Sequence, residues 1–293
     1  MEPNAGGPGR RRGWTAGLLV TAFLVLTACG DDADTATPAE TTAAPTTTAA
    51  PLVPPPGLGE DPGPVVIGHR GAAGHHPDNS LEGFAAARDL GATWVELDTR
   101  ISADGDVFLS HDPETAGGLV VAESTSADLA AEGLPTLVEA LEVIDEHALG
   151  VDVEIKSVPW EPGFDPQMGM VDATMAALRA RPIDGPVVVS SFNRDALDRV
   201  RELTDDDYDT VLILPAGAAG PDQVAPLVEG GHDGLALEGP EITAAVVTPF
   251  TDAGLPVWSW TIDDPDDAEA LVTAGVTGII TDVPDVISDA LAA

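Results

Sequence analysis

The chain has 293 residues, 44% of them hydrophobic, which is enough for one large core or two modest ones. Its 12 Lys and Arg against 50 Asp and Glu give a net charge of -38. Such a surface repels nucleic acid and anionic lipid headgroups, so neither is expected as a partner.

The first predicted segment is an export signal. Arg10, Arg11 and Arg12 precede an apolar run over 16–26 and then Leu26-Thr27-Ala28-Cys29. A basic start, a short apolar run and small residues before a cleavage point make a signal that is too short for a standard spanning helix. Residues 1–28 resemble a bacterial lipoprotein signal, which implies a mature chain that begins at a lipidated Cys29. The protein would then be exported and anchored to the outer face of the cell membrane or envelope. An ordinary signal peptide with an incidental cysteine is the alternative. Cys29 is the only cysteine, so no internal disulfide can form. Residues 29–63 are mostly Thr, Ala, Pro, Asp and Gly, a composition that cannot bury enough surface to order itself. They are expected to be a disordered tether to a domain over 64–293.

From Pro64 onward short β-rich runs alternate with longer amphipathic stretches. Strands are predicted over 65–68, 93–98, 150–155, 187–190, 210–214, 234–237, 256–260 and 278–281. Helices are predicted over 80–90, 137–147, 166–179, 194–203, 222–229, 241–253 and 265–274, with a last one from Pro284. Asn79 and Ser80 offer a cap for the first helix. Alternating strands and helices imply parallel βαβ units. Eight such units in about 230 residues match a (β/α)₈ TIM barrel. A doubly wound open sheet is the alternative, but no Gly-rich phosphate loop follows a strand. The segment 101–134 is too long for a simple loop. It is expected to extend the second unit, with a turn at Asp104-Gly105 and a strand over 107–110.

Catalytic groups of such a barrel come from the C-terminal ends of its strands. The first strand runs into Gly68-His69-Arg70-Gly71, which places an imidazole and a guanidinium at the mouth. The second ends Glu96-Leu97-Asp98. Residues two apart on a strand share a face, so both carboxylates point inward while Val95 and Leu97 face the helices. Two buried carboxylates repel each other and need a cation, and a hard divalent ion with oxygen ligands answers that need. A strand end frayed into solvent would leave them merely exposed. The third strand ends Glu154-Ile155-Lys156, so Glu154 would be a third ligand. Lys156, the only lysine of the chain, would face a substrate anion. A structural ion pair is the plainer reading of Glu154 and Lys156. A second histidine lies in Ser110-His111-Asp112. His75 and His76 could line the mouth, whereas His147 at a helix end and His232 in a turn are read as structural. Trp258 and Trp260 share a face, and one of them could wall a substrate pocket.

In this order, His69-Arg70-Gly71, Glu96-Leu97-Asp98, His111-Asp112, Glu154-Ile155-Lys156, Ser191-Phe192, Trp260-Thr261 and Thr281-Asp282-Val283-Pro284 resemble the glycerophosphodiester phosphodiesterases, over about residues 65–287. The resemblance implies a metal-dependent (β/α)₈ barrel that cleaves glycerophosphodiesters into glycerol 3-phosphate and an alcohol. It implies His69 and His111 as the acid/base pair, and Glu96, Asp98 and Glu154 as ligands of Ca²⁺ or Mg²⁺. It also implies Arg70 and Lys156 as phosphate-binding cations and Trp260 as an aromatic near the substrate. The substrate's own 2-hydroxyl would attack first, giving a cyclic phosphate that water then opens. Three positions depart from the pattern. Asp78 stands where the family usually has Glu holding the arginine. Glu114-Thr115-Ala116-Gly117 replaces an Arg-Thr-Thr-like segment, and Asp263 replaces a frequent Asn. Two other classes stay open: a sphingomyelinase-type phospholipase D of the same barrel class, and a solute-binding lipoprotein. The first would need an apolar rim for lipid, and the second a two-lobed cleft.

Overall fold

In the computed structural model, the structure describes residues 52–53, 55–60, 63–204 and 207–292. The predicted signal, the predicted lipidation site Cys29 and most of the predicted tether lie outside them. Ahead of the first strand, Leu58 sits in a turn and packs against buried Val65, Trp94 and Trp258, so contact with the barrel begins upstream of residue 64.

Among the described residues nine strands form: β1 Val65–Gly68, β2 Trp94–Ile101, β3 Val107–Leu109, β4 Gly150–Ile155, β5 Val187–Ser191, β6 Asp209–Leu214, β7 Gly234–Glu238, β8 Val257–Trp260 and β9 Gly278–Thr281. Eight of them close into a parallel ring in the order β1-β9-β8-β7-β6-β5-β4-β2, with β2 pairing back to β1. The ninth, β3, runs antiparallel to the end of β2. Helices follow the strands around the outside: α1 Leu81–Ala87, α2 Ser126–Ala131, α3 Leu137–Glu146, α4 Gly169–Ala180, α5 Arg194–Thr204, α6 Val224–Gly230, α7 Ala244–Thr251, α8 Pro265–Thr273 and α9 Pro284–Leu291. This is the expected (β/α)₈ barrel with an extension after its second strand. Among the described residues no helix is long and apolar enough to cross a membrane.

The alternation of side chains divides the core in two. Val95, Leu97, Val153, Ile155 and Val189 face outward and pack with Phe84, Leu141, Met175 and Leu197 of the helices. Ile67, Trp94, Val188, Val211, Ala236 and Trp258 fill the barrel interior. Trp94 and Trp258 meet edge to face there, with ring centroids 5.7 Å apart. A Cβ on Gly150 or Gly278 would overlap one of these rings, which explains glycine at the start of both strands. The two indoles fill the lower barrel.

Local chemistry moves several boundaries from their predicted places. β2 runs three residues past the expected end at 98, because residues 99–101 pair with β3. α1 stops at Ala87 rather than 90, where the chain turns into Gly91 at φ 91°. α4 begins at Gly169 rather than 166, because the Asp165 carboxylate accepts from the amides of Gln167 and Gly169 and turns the chain first. α2 was not foreseen within the extension. Thr125 and Asp128 form a reciprocal capping box that starts it.

Candidate active site

The loop after β1 folds back on itself through two left-handed residues, Arg70 at φ 49° and Asn79 at φ 55°. This turn directs three functional groups. The amide of Arg70 donates to Glu96 Oε2 at 2.8 Å. Its guanidinium reaches Asp78 Oδ2 at 2.5 Å and Asp98 Oδ2 at 3.3 Å. The shorter Asp78 therefore still holds Arg70. Ser80 caps α1 as expected, but Asn79 does other work: its amide nitrogen donates to Asp98 Oδ2 at 2.8 Å, and its oxygen accepts from the Asp98 amide at 3.1 Å.

Glu96, Asp98 and Glu154 converge: one oxygen from each lies within 4.8 Å of the others, and all three residues are buried. Lys156 Nζ is 2.8 Å from both Asp98 Oδ1 and Glu154 Oε1. Asp152, in register with Glu96 across β2 and β4, adds a fourth buried carboxylate. Lys156 and Arg70, the latter shared with Asp78, do not balance these four carboxylates when all are ionised. Glu96 Oε1 is buried with no hydrogen-bond partner.

The titration of these groups follows from their surroundings. Burial, with repulsion from Asp98 and Glu154, raises Glu96 well above the usual carboxylate range. Burial pushes Asp152 up to about 7, although Ser190 and Lys156 pull it down. Burial also raises Glu154 against the pull of Lys156. Burial would raise Asp98 too, but Lys156 and Arg70 outweigh it and hold Asp98 low. Lys156 is the converse case: burial opposes its charge, yet Glu154 and Asp98 raise its pKa. Converging oxygen donors, carboxylates that their neighbouring cations do not balance and an orphaned carboxylate oxygen together fit a hard divalent cation.

The two predicted histidines line the same cavity as this centre. His69 Nδ1 pairs with Asp282 Oδ1 at 2.6 Å, and its Nε2 lies 4.0 Å from Glu96 Oε2. The His69 pair lowers the Asp282 pKa. His111 follows β3, and its Nδ1 is 2.8 Å from Asp112 Oδ1. Burial, then the charge of Lys156, lowers the His111 pKa and favours the neutral imidazole at neutral pH.

Both histidines line one cavity of about 160 Å³, together with Arg70, Glu96, Asp152, Glu154 and Lys156. Asp98 stands behind this wall. The other side of the cavity is mostly apolar: Phe192, Ile213, Ala236, Trp260 and Ile280, with Thr261 beside them. Trp260 meets Phe192 edge to face at 5.6 Å, and its indole N–H is buried without a partner. Trp258 lies lower, against Trp94, so Trp260 is the tryptophan at the mouth. His75 pairs with Asp285 of α9 rather than lining the cavity. His147 bonds the Val143 carbonyl and buried His232 contacts Thr210, both structural as expected.

Three residues of this site have no site role in the sequence analysis: Asn79, named there only as a cap, Asp282, named only within a motif, and Asp152. Asp152 had a signal, because it lies two before Glu154 on one strand and so shares its face. Asp282 is itself held, since Asp263 Oδ1 accepts from both the Thr281 hydroxyl and the Asp282 amide. The acid at 263 thus serves as a loop tie.

Residues 69–286 match the Glycerophosphoryl diester phosphodiesterase family. A glycerophosphodiester phosphodiesterase of Caldanaerobacter subterraneus subsp. tengcongensis is 29% identical over 245 residues, covering 75% of this chain and 95% of that one. Another, from Bacillus subtilis, is 25% identical over 255 residues and covers 75% and 84%. Among solved structures, an Oleispira antarctica phosphodiesterase in complex with the product sn-glycerol-3-phosphate superposes with a TM-score of 0.70. It is 26% identical and covers 79% of this chain and 98% of its own.

Proposed function

The chain belongs to the glycerophosphoryl diester phosphodiesterase family, and on that premise we propose that it hydrolyses glycerophosphodiesters to glycerol 3-phosphate and an alcohol at the cavity above β1, β2 and β4. The observation that carries this reading is the convergence of Glu96, Asp98 and Glu154 within 4.8 Å, at the wall of a cavity that Glu96 and Glu154 line together with His69 and His111.

A phosphodiester carries one negative charge, and more gathers on its non-bridging oxygens in the transition state. Arg70 and Lys156 supply fixed positive charge at that place. The ion held by Glu96, Asp98 and Glu154, which we read as Ca²⁺ or Mg²⁺, would polarise a phosphoryl oxygen. One histidine takes a proton from the nucleophile and the other gives one to the leaving oxygen. Asp282 on Nδ1 of His69 turns Nε2 toward the cavity. In the reading we favour, the substrate's 2-hydroxyl attacks phosphorus and the alcohol leaves. Water then opens the cyclic phosphate.

We also propose that residues 1–28 direct export and that Cys29 carries a lipid anchoring the protein to the outer face of the cell membrane or envelope, with the chain between Cys29 and the segment that packs on the barrel as tether. Incorporation of a labelled acyl chain into the wild type but not into Cys29→Ala is the expected result.

The enzymatic reading is tested by glycerol 3-phosphate release from a panel of glycerophosphodiesters, with sphingomyelin alongside and with or without added metal. Release from glycerophosphodiesters that requires metal is expected. Cleavage of sphingomyelin alone, or no release at all, would overturn it. A cyclic phosphate should appear transiently by phosphorus NMR.

A further inference from the structure

Arg100 follows Glu96 and Asp98 along β2 at the same two-residue spacing, so it leaves the strand on their face but above the cavity. It is 6% exposed. Its Nε and Nη2 both donate to the His111 carbonyl oxygen, at 3.0 and 2.5 Å. Nη2 also lies 2.7 Å from Glu161 Oε2, in the segment after β4. One rigid, permanently charged fork therefore joins two loops at the barrel mouth, a task that suits arginine and not lysine.

His111 needs such support. It lies beyond the end of β3, its side chain is 43% exposed, and its ring bonds its own neighbour Asp112. The amide of Ser110 donates to the Asp98 carbonyl at 3.1 Å and fastens the chain one residue earlier. Arg100 then grips the backbone of His111 itself. It does not line the cavity, so it has no direct path to the substrate.

We propose that Arg100 is a positioning residue that holds His111 in reach of the substrate and ties it to the segment carrying Glu161. The proposal rests on His111 serving as an acid/base group. Displacing a reacting group by about 1 Å can cost about a hundredfold in rate, which sets the scale of the effect.

The test is a double-mutant cycle on glycerol 3-phosphate release with saturating metal, using Arg100→Gln, His111→Ala and the pair. Arg100→Gln should lower kcat by about thirty- to a hundredfold while moving KM by less than about threefold. In the His111→Ala background the same change should remove less than about threefold more, because the group it positions is gone. Arg100→Lys keeps the charge and part of the donation, and is run through the same cycle in case Arg100→Gln does not fold. It should restore part of kcat, and its remaining loss should also vanish without His111. An equal loss with and without His111, or an unchanged kcat in both variants, would overturn the positioning role. A fully active His111→Ala would instead overturn the acid/base reading on which the role depends.

Discussion

Strands β1, β2 and β4 and the loop after β1 bring His69, Arg70, Glu96, Asp98, Asp152, Glu154 and Lys156 to the barrel mouth, whereas β5 to β9 bring Phe192, Ile213, Ala236, Trp260 and Ile280. The first side is crowded with buried charge that its own cations do not balance. The second is mostly apolar, and the buried Trp260 indole N–H on it has no partner. The contrast assigns different tasks to the two sides: charge and protons to the first, and the shape of the bound molecule to the second. Substitutions on the charged side should therefore lower turnover, and those on the apolar side should weaken binding.

The largest break in that contrast should come from the histidines. His69→Ala and His111→Ala are each expected to reduce kcat by at least about a hundredfold, the usual scale for lost acid/base catalysis. Near-normal turnover in either variant would remove that histidine from the chemistry.

Next in size is the pH response of the metal-free protein. Asp152 has its pKa pushed from 3.8 up to about 7 in the fold. The folded state thus keeps a proton that the unfolded chain has lost, so stability falls as pH rises from about 4 to about 7. Chelator-treated protein should melt at least about 3 °C lower at pH 7.5 than at pH 4.5, and Asp152→Asn should flatten that slope. An unchanged slope in Asp152→Asn would show that this carboxyl does not titrate as burial requires.

On the apolar side, Trp260→Ala should raise KM by about tenfold with a smaller change in kcat, the pattern of lost uniform binding. A fall in kcat alone would place Trp260 among the reacting groups. The smallest effect belongs far from the mouth. Thr136 caps α3 through a capping box with Glu139, and Thr136→Ala should cost about 1 kcal/mol of stability while leaving kcat unchanged.

The charged side was also the more legible one in the sequence. Alternation along a strand puts 96 with 98 and 154 with 156, and the apolar residues between them exclude solvent on the other face. The lone lysine beside a buried acid was visible for the same reason. The same alternation extends to Asp152 and Arg100, but neither sits in a recognisable motif, and Arg100 becomes informative only when β2 proves to run past residue 98. Asn79 looked like a helix cap because its neighbour Ser80 is one. Its bonds to Asp98 depend on a left-handed turn that sequence does not display. Asp282 meets His69 across 213 residues, a contact that exists only once β9 closes against β1. The helix α2 is six residues long with one large apolar side chain, Leu129, too short to show apolar periodicity.

The most direct measurement is calorimetric titration of Ca²⁺ and of Mg²⁺ into chelator-treated protein, wild type beside Glu154→Gln. One ion per chain is expected in the wild type, with binding weakened by at least about tenfold in the variant, as loss of a ligand oxygen requires. Equal binding by both proteins, or none by either, would contradict a cation held between Glu96, Asp98 and Glu154.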